Sequence, residues 1–268
     1  MKNFKEKIII ALDYGDLKPV KELLENLKGR AFFYKIGFEL FTSCGARSVD
    51  LVKDYGCKVF LDLKYHDIPN TVYKAVKSAG KLGADIINVH ASGGLDMMKA
   101  AKTAGEEASY AAGRRIDIIA VTVLTSLSDT DVKHVFYNNM GEKGLEEADG
   151  IASGLALHLA ELAKISGLDG VVCSGHESLK IKNIFGQDFK TVTPGIRMKA
   201  KAKNADVHAL SHGETEGLKE PNGGQKRIMT PSEAFKAGAD YIVVGREITG
   251  AENPADALAN VHADIEKS

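Results

Sequence analysis

Eight short runs rich in Ile, Val and Phe recur along the chain, each followed by a longer stretch with helical spacing. The runs are KIIIALD (7–13), AFFYKIG (31–37), KVFLDLK (58–64), DIINVHA (85–91), DIIAVTVL (117–124), DGVVCS (169–174), KTVTPGI (190–196) and DYIVVGR (240–246). Short apolar runs without strict alternation suit strands buried on both faces, as in a parallel sheet. The stretches between them are amphipathic. In 17–29, Val20, Leu23, Leu24 and Leu27 fall on one helical face, and 49–56, 71–83, 154–167 and 231–240 follow the same habit. Several close with Gly, which suits a helix C-terminus. Alternating strands and helices predict an α/β fold with a parallel sheet. Eight units in 268 residues, with no linker, predict a single (β/α)8 TIM-barrel domain over 1–268. No Gly-x-Gly-x-x-Gly follows the first run, which weakens a dinucleotide-binding doubly wound sheet.

Two intervals are long. Residues 125–168 contain the polar stretch YNNMGEKGLEEADG ahead of the sixth helix, and 197–229 is the least regular part of the chain. An extended loop is expected at about 198–224, where the polar, Gly- and Lys-rich composition reads as a mobile lid.

Charge narrows the function classes. Lys and Arg number 35 against 36 Asp and Glu, which excludes a strongly basic nucleic-acid binder and an acidic tail. No run approaches the roughly 18 apolar residues of a membrane span, and the N-terminal apolar run breaks at Asp13, too early for a signal peptide. Cys44, Cys57 and Cys173 are odd in number and form no Cys-x-x-Cys, so neither a disulfide framework nor a structural zinc site is expected. The expectation is a reduced, cytoplasmic protein without a metal. His208 and His212 could be a metal pair on a helix, but no third ligand is evident, and they read as loop residues near Gly213. The 27 Gly, about a tenth of the chain against a usual share of about 7%, point to many tight turns or close backbone approaches to a ligand.

Active sites of such barrels lie at the C-terminal ends of the strands. There the chain places Asp13, Lys35, Asp62 and Lys64, with Asp67 just beyond, then His90, Thr125 and Ser126, Gly195 to Arg197, and Gly245 with Arg246. Asp62 and Lys64 are two apart on a strand and so share a side. Neither charge can be desolvated alone, and Lys35 and Asp67 could complete an alternating array. That array is either catalytic or a structural ion-pair plug in one end of the barrel. A lone His at a strand end, such as His90, reads as a supporting residue. Gly195 and Gly245 follow the seventh and eighth strands, where loops of this fold commonly bind phosphate, and Arg246 can pair with phosphate oxygens.

The run DLKYHDIPNTV (62–72) fits the pattern Asp-x-Lys-x-x-Asp-Ile-Pro-Asn-Thr, and the sequence thereby resembles the orotidine 5′-phosphate decarboxylase family, of the shorter bacterial type. KIGFELF (35–41), NVHASGG (88–94), VTVLTS (121–126), TPGIR (193–197), QKRIMTP (225–231) and VVGREIT (243–249) match in order, from about Ile8 to Val261. The resemblance implies decarboxylation of orotidine 5′-monophosphate to uridine 5′-monophosphate in pyrimidine synthesis, with no metal or organic cofactor. It implies that Lys64 donates the proton to C6 and that Asp62 sits beside the departing carboxylate. Lys35 and Asp67 complete the array, with Asp67 and Thr71 reaching in from the second subunit of a homodimer. Asp13 and Lys35 hold ribose hydroxyls. Thr125 and Ser126 lie near the pyrimidine, with Ser126 reading its amide edge. Gln225 bridges base and phosphate, and Arg197, Gly245 and Arg246 surround the phosphate.

The interval between Arg197 and Gln225 is longer than the family pattern leads one to expect. Gly223 and Gly224 precede Gln225, where an Asp is expected. Two rival functions remain open at this point. One is a metal-dependent decarboxylase or aldolase on a related phosphate-binding barrel, which would want a further set of carboxylate ligands. The other is a non-catalytic nucleotide sensor, which need not sustain buried charges.

Overall fold

A computed structural model describes residues 4–136, 150–198 and 228–267. Each of the eight apolar runs holds one strand, β3 extending one residue past its run: β1 (Ile8–Leu12), β2 (Phe33–Ile36), β3 (Lys58–Tyr65), β4 (Ile86–His90), β5 (Asp117–Val121), β6 (Gly170–Val172), β7 (Lys190–Thr193) and β8 (Tyr241–Val244). Each pairs in parallel with the next in sequence, and β8 pairs with β1, closing the barrel. The strands carry two cores at once, which is why they do not alternate. Ile9, Ala11, Phe33, Phe60, Ile86, Ile119, Val192 and Val243 fill the barrel interior. Their neighbours, such as Ile8, Ile10 and Leu12, turn outward against the helices.

The five expected helices appear as Leu17–Asn26, Arg47–Asp54, Pro69–Lys81, Ile151–Ile165 and Pro231–Lys236. The third starts earlier than its apolar spacing suggests, because Pro69 has the fixed φ that suits a first helical turn. The helix Leu95–Ala112 carries a less obvious apolar stripe, of Met97, Met98, Ala101, Ala104, Gly105 and Ala108. Small residues there allow close approach. A Cβ on Gly80 would lie 2.6 Å from that of Ala108, and one on Gly105 would lie 2.3 Å from Ile118. The interval 125–168 contains a helix at Asp129–Phe136 ahead of its polar stretch, of which 137–149 lie outside the described residues. Among the described residues, no helix is long and apolar enough to cross a membrane.

At the N-terminal end of the barrel, Asp85, Asp169 and Asp240 each directly precede an even-numbered strand. Each carboxylate accepts the backbone N–H of the strand before: Val59 at 2.8 Å, Ile118 at 2.9 Å and Thr191 at 2.8 Å respectively. Each is neutralised by cations. Lys53 and Arg114 approach Asp85 at 3.0 and 3.1 Å, Lys102 and Arg115 both approach Asp169 at 3.0 Å, and Lys182 pairs with Asp240.

Residues 199–227 lie outside the described residues, and with them Gln225, Gly223, Gly224, His208, His212 and nearly all of the expected lid. The chain on either side is joined where Ile196 bridges Met229. Arg197 N–H donates to the Met229 carbonyl at 2.9 Å, and Met229 N–H donates to that of Gly195 at 3.2 Å.

Candidate active site

A cavity of about 310 Å³ opens at the C-terminal ends of the strands, at the low end of the usual small-molecule range. Asp13, Lys35, Asp62, Lys64, Thr125, Arg197, Gly245 and Arg246 all line it. Ala11, Phe60 and Val243, which belong to the barrel's inner core, reach its lining too.

The charged side chains alternate in sign. Lys35 Nζ lies 3.2 Å from Asp13 Oδ1 and 3.4 Å from Asp62 Oδ2, while Lys64 Nζ lies 2.7 Å from Asp62 Oδ1. Asp62, 8% exposed, is thus held between two ammonium groups. Burial pulls the Lys35 ammonium down, but Asp62 and Asp13 outweigh it, so the group stays above its ordinary value and remains charged. Lys64 Nζ also stands 5.0 Å from the centre of the Phe38 ring, at the open end of the array. Gly37 makes room for this arrangement, since a Cβ there would sit 2.9 Å from Lys35 Nζ.

Asp62 and Lys64 line the cavity together with Phe60, as their spacing of two predicts, but the ladder beside them is irregular. β3 and β4 are in register at Leu61 with Ile87 and again at Tyr65 with Val89, so Asp62, Leu63 and Lys64 together face the single residue Asn88. This is a bulge, and Lys64 sits in it at φ +43°, in the left-handed region that non-glycine residues seldom adopt. Asn88 was not singled out in the sequence. It is fully buried, accepts the Lys64 backbone N–H at 2.8 Å and donates to Asp62 Oδ1 at 2.7 Å. A polar residue inside an otherwise apolar run was the available signal.

The array within one chain is therefore Asp13, Lys35, Asp62 and Lys64. Asp67 lies apart from it within one chain: β3 ends before it, its side chain is exposed, and its Oδ1 accepts its neighbour Ile68's N–H at 2.7 Å. Thr71 is likewise exposed and outside the cavity lining, as is Ser126, whereas Thr125 next to it is buried in the wall. On the far side, Gly195 adopts φ +76°, which requires glycine, and Arg197 lies 3.7 Å from Glu247. Cys173, at the end of β6, is a lining residue that sequence reasoning did not single out. Among the described residues, no three His, Cys, Asp or Glu side chains cluster so as to hold a metal ion.

His90 stands at the end of β4, its ring 5.5 Å from that of His66. Burial pushes its imidazole below the ordinary 6.5, and the His66 and Lys64 charges add to the effect. The unfolded chain therefore binds this proton first as pH falls. Stability from this group is complete above 6.5 and declines as pH falls below it. NMR titration of the folded protein is expected to give a His90 midpoint under 6.5, and one at or above that value would refute the burial argument.

A closed parallel barrel with a charged cavity at the C-terminal mouth defines the chain as a protein of the (β/α)8-barrel enzyme class. The profile of the orotidine 5′-phosphate decarboxylase / HUMPS family matches residues 6–261, and the chain belongs to that family. It is 43% identical over 265 residues to an orotidine 5′-phosphate decarboxylase of Pseudoalteromonas translucida, covering 97% of each chain. It is 42% identical over 257 residues to that of Bacillus cytotoxicus, covering 96% of this chain and 95% of the relative. The crystal structure of orotidine 5′-phosphate decarboxylase from Lactobacillus acidophilus superposes with a TM-score of 0.73 at 35% identity, over 97% of this chain and 99% of that one.

Proposed function

We propose that this chain decarboxylates orotidine 5′-monophosphate to uridine 5′-monophosphate and CO₂ in pyrimidine synthesis. It does so as a cytoplasmic homodimer, with no metal or organic cofactor. The observation that carries this reading is the alternating array of Asp13, Lys35, Asp62 and Lys64 at the mouth of the barrel.

Loss of CO₂ breaks the bond between C6 and the carboxylate carbon and leaves its electron pair on C6. An ammonium fixed beside that carbon stabilises charge that develops only as the bond breaks. Lys64 fills that role, then transfers its proton to C6 and is reprotonated from water. Asp62 stands next to the departing carboxylate. Lys35 fixes Asp62 and, with Asp13, holds the ribose hydroxyls. Thr125 lies against the pyrimidine, and Ser126 reads its amide edge from the rim. Arg197, Gly245 and Arg246 take the phosphate, whose distance from the reacting carbon lets its binding energy serve catalysis. Gln225, outside the described residues, bridges base and phosphate. The direct test follows loss of orotidine 5′-monophosphate with and without a chelator. Turnover that survives chelation is expected; no turnover would overturn the function, and turnover lost to the chelator would overturn its independence of metal.

Asp67 and Thr71 serve the partner subunit's site. Their exposure supports this, as do the neighbouring exposed side chains of Ile68, at 67%, and Phe38, at 57%. Mixing Asp67→Ala with Lys64→Ala protein leaves one intact site in each mixed dimer. Equal mixing should restore about a quarter of wild-type activity. No recovery under demonstrated subunit exchange would refute the shared site. Cytoplasmic placement rests on the three cysteines, an odd number with no Cys-x-x-Cys spacing.

A further inference from the structure

We propose that Asn88 is a positioning residue for this decarboxylation, its one amide holding the Lys64 backbone in the bulge and the Asp62 carboxylate beside the Lys64 ammonium. The inference rests on the roles given above to Lys64 and Asp62.

The constraint originates in the strand register. Where Asp62 to Lys64 face one residue of β4, the ordinary ladder cannot reach the Lys64 N–H. Asn88 Oδ1 accepts that N–H at 2.8 Å and so pins a backbone held at φ +43°. A left-handed non-glycine residue persists only where its surroundings over-determine it. The same amide reaches the reacting end of the array: Asn88 Nδ2 donates to Asp62 Oδ1 at 2.7 Å, and Lys64 Nζ contacts that same oxygen, also at 2.7 Å. Asp62 therefore cannot rotate without breaking both contacts.

Chemistry fixes which way the amide points. A backbone N–H can only donate, and a carboxylate flanked by ammonium groups only accepts, so the oxygen faces Lys64 and the nitrogen faces Asp62. Position 88 thus needs an acceptor and a donor about one amide apart. Leu offers neither and ionised Asp offers no donor. Gln carries both, but its extra methylene has no room at a site with no exposure. Asn88 has no solvent exposure, so each lost contact leaves an unsatisfied polar group.

The test compares Asn88→Asp and Asn88→Ala with wild type, with rates taken per uridine 5′-monophosphate-binding site so that partial unfolding does not enter. Ribose and phosphate contacts lie elsewhere, so product affinity should stay within about twofold. The rate constant kcat should fall on the order of 10²-fold in both variants near pH 8, the scale of an ångström-sized misplacement of reacting groups. The nearly isosteric Asn88→Asp separates positioning from mere filling of space. Its carboxylate keeps the acceptor for Lys64, and once protonated it regains a donor toward Asp62.

The charged and titratable groups near position 88 are Asp62 and Lys64 on β3, Lys35 on β2 through Asp62, and the His66 and His90 pair; the β5 residue facing it is Ile119. All are shared with wild type, so the ratio of Asn88→Asp to wild-type kcat isolates the new carboxyl group. That ratio should rise as pH falls, while the ratio for Asn88→Ala stays flat. A kcat for Asn88→Asp within about threefold of wild type, a loss confined to KM, or a pH-independent ratio would each overturn the proposal. Wild-type protein inactive on orotidine 5′-monophosphate would instead fail the functional reading, and the same assay shows which has failed.

Discussion

Lys64→Ala is expected to abolish turnover while leaving uridine 5′-monophosphate affinity largely intact. Two effects disappear together. A fixed charge that stabilises a developing anion is worth roughly 10²–10³ in rate, and a positioned proton donor typically 10²–10⁴. Because both reside on one Nζ they do not simply multiply, and a loss of at least about 10³-fold is the conservative expectation. Product affinity survives because the groups assigned to ribose and phosphate, namely Asp13, Lys35, Arg197 and Arg246, line other parts of the cavity. The truncation should also leave the fold in place, since Lys64 Nζ stands at the open end of the array and Asp62 retains Lys35 and Asn88. Single-turnover kinetics and calorimetric titration measure the two quantities. A variant that keeps a tenth of wild-type activity would remove Lys64 from the mechanism.

The largest effect on stability is expected at the opposite end of the barrel. Lys182, 3% exposed, donates to the Gln187 and Phe189 carbonyls at 2.8 and 2.9 Å, and its charge is balanced by Asp240. Asp240→Ala leaves that ammonium buried without its anion and takes away the acceptor for Thr191 N–H. Removing one partner of a buried pair costs about 3–5 kcal/mol. For a domain of this size that lowers Tm on the order of 10 °C. Adding Lys182→Met should recover much of the loss, since an apolar side chain of similar length has no charge to strand. Denaturant melts of the single and double variants check both statements. A loss below about 1 kcal/mol for Asp240→Ala, or no recovery in the double variant, would show that the pair is not balanced as described. Turnover per folded molecule should not change, because Asp240 lies at the start of β8 and the cavity at strand ends.

The barrel was legible because its strands are buried twice over. A run such as IIIAL in β1 has no polar face to blur it, and the Asp that opens several runs marks where a strand enters the barrel. The helix Leu95–Ala112 was harder to read, since Ala and Gly supply a close-packed stripe with little hydrophobic contrast. The array was legible in part. Placing charges at strand ends correctly gathered Asp13, Lys35, Asp62 and Lys64; because spacing does not say where β3 stops, it put Asp67 in the same group, although within one chain that residue lies apart. Asn88 was hidden by its neighbours: in IINVH it looks like a tolerated polar residue on a buried strand. Its purpose becomes visible only with the register of β3 against β4, a relation between two segments that neither segment carries alone.

The bulge in β3 has a further property. It lengthens the strand by two residues relative to its neighbour, and two is the side-chain period of a strand. A single extra residue would have exchanged inside for outside along everything that follows. A pair leaves that parity intact, so Phe60 below still belongs to the barrel's interior and Tyr65 above still packs against the outer core. The two-residue insertion is in this sense a removable cassette. An ordinary barrel strand could acquire it, or shed it, with the inward and outward order of the remaining strand undisturbed.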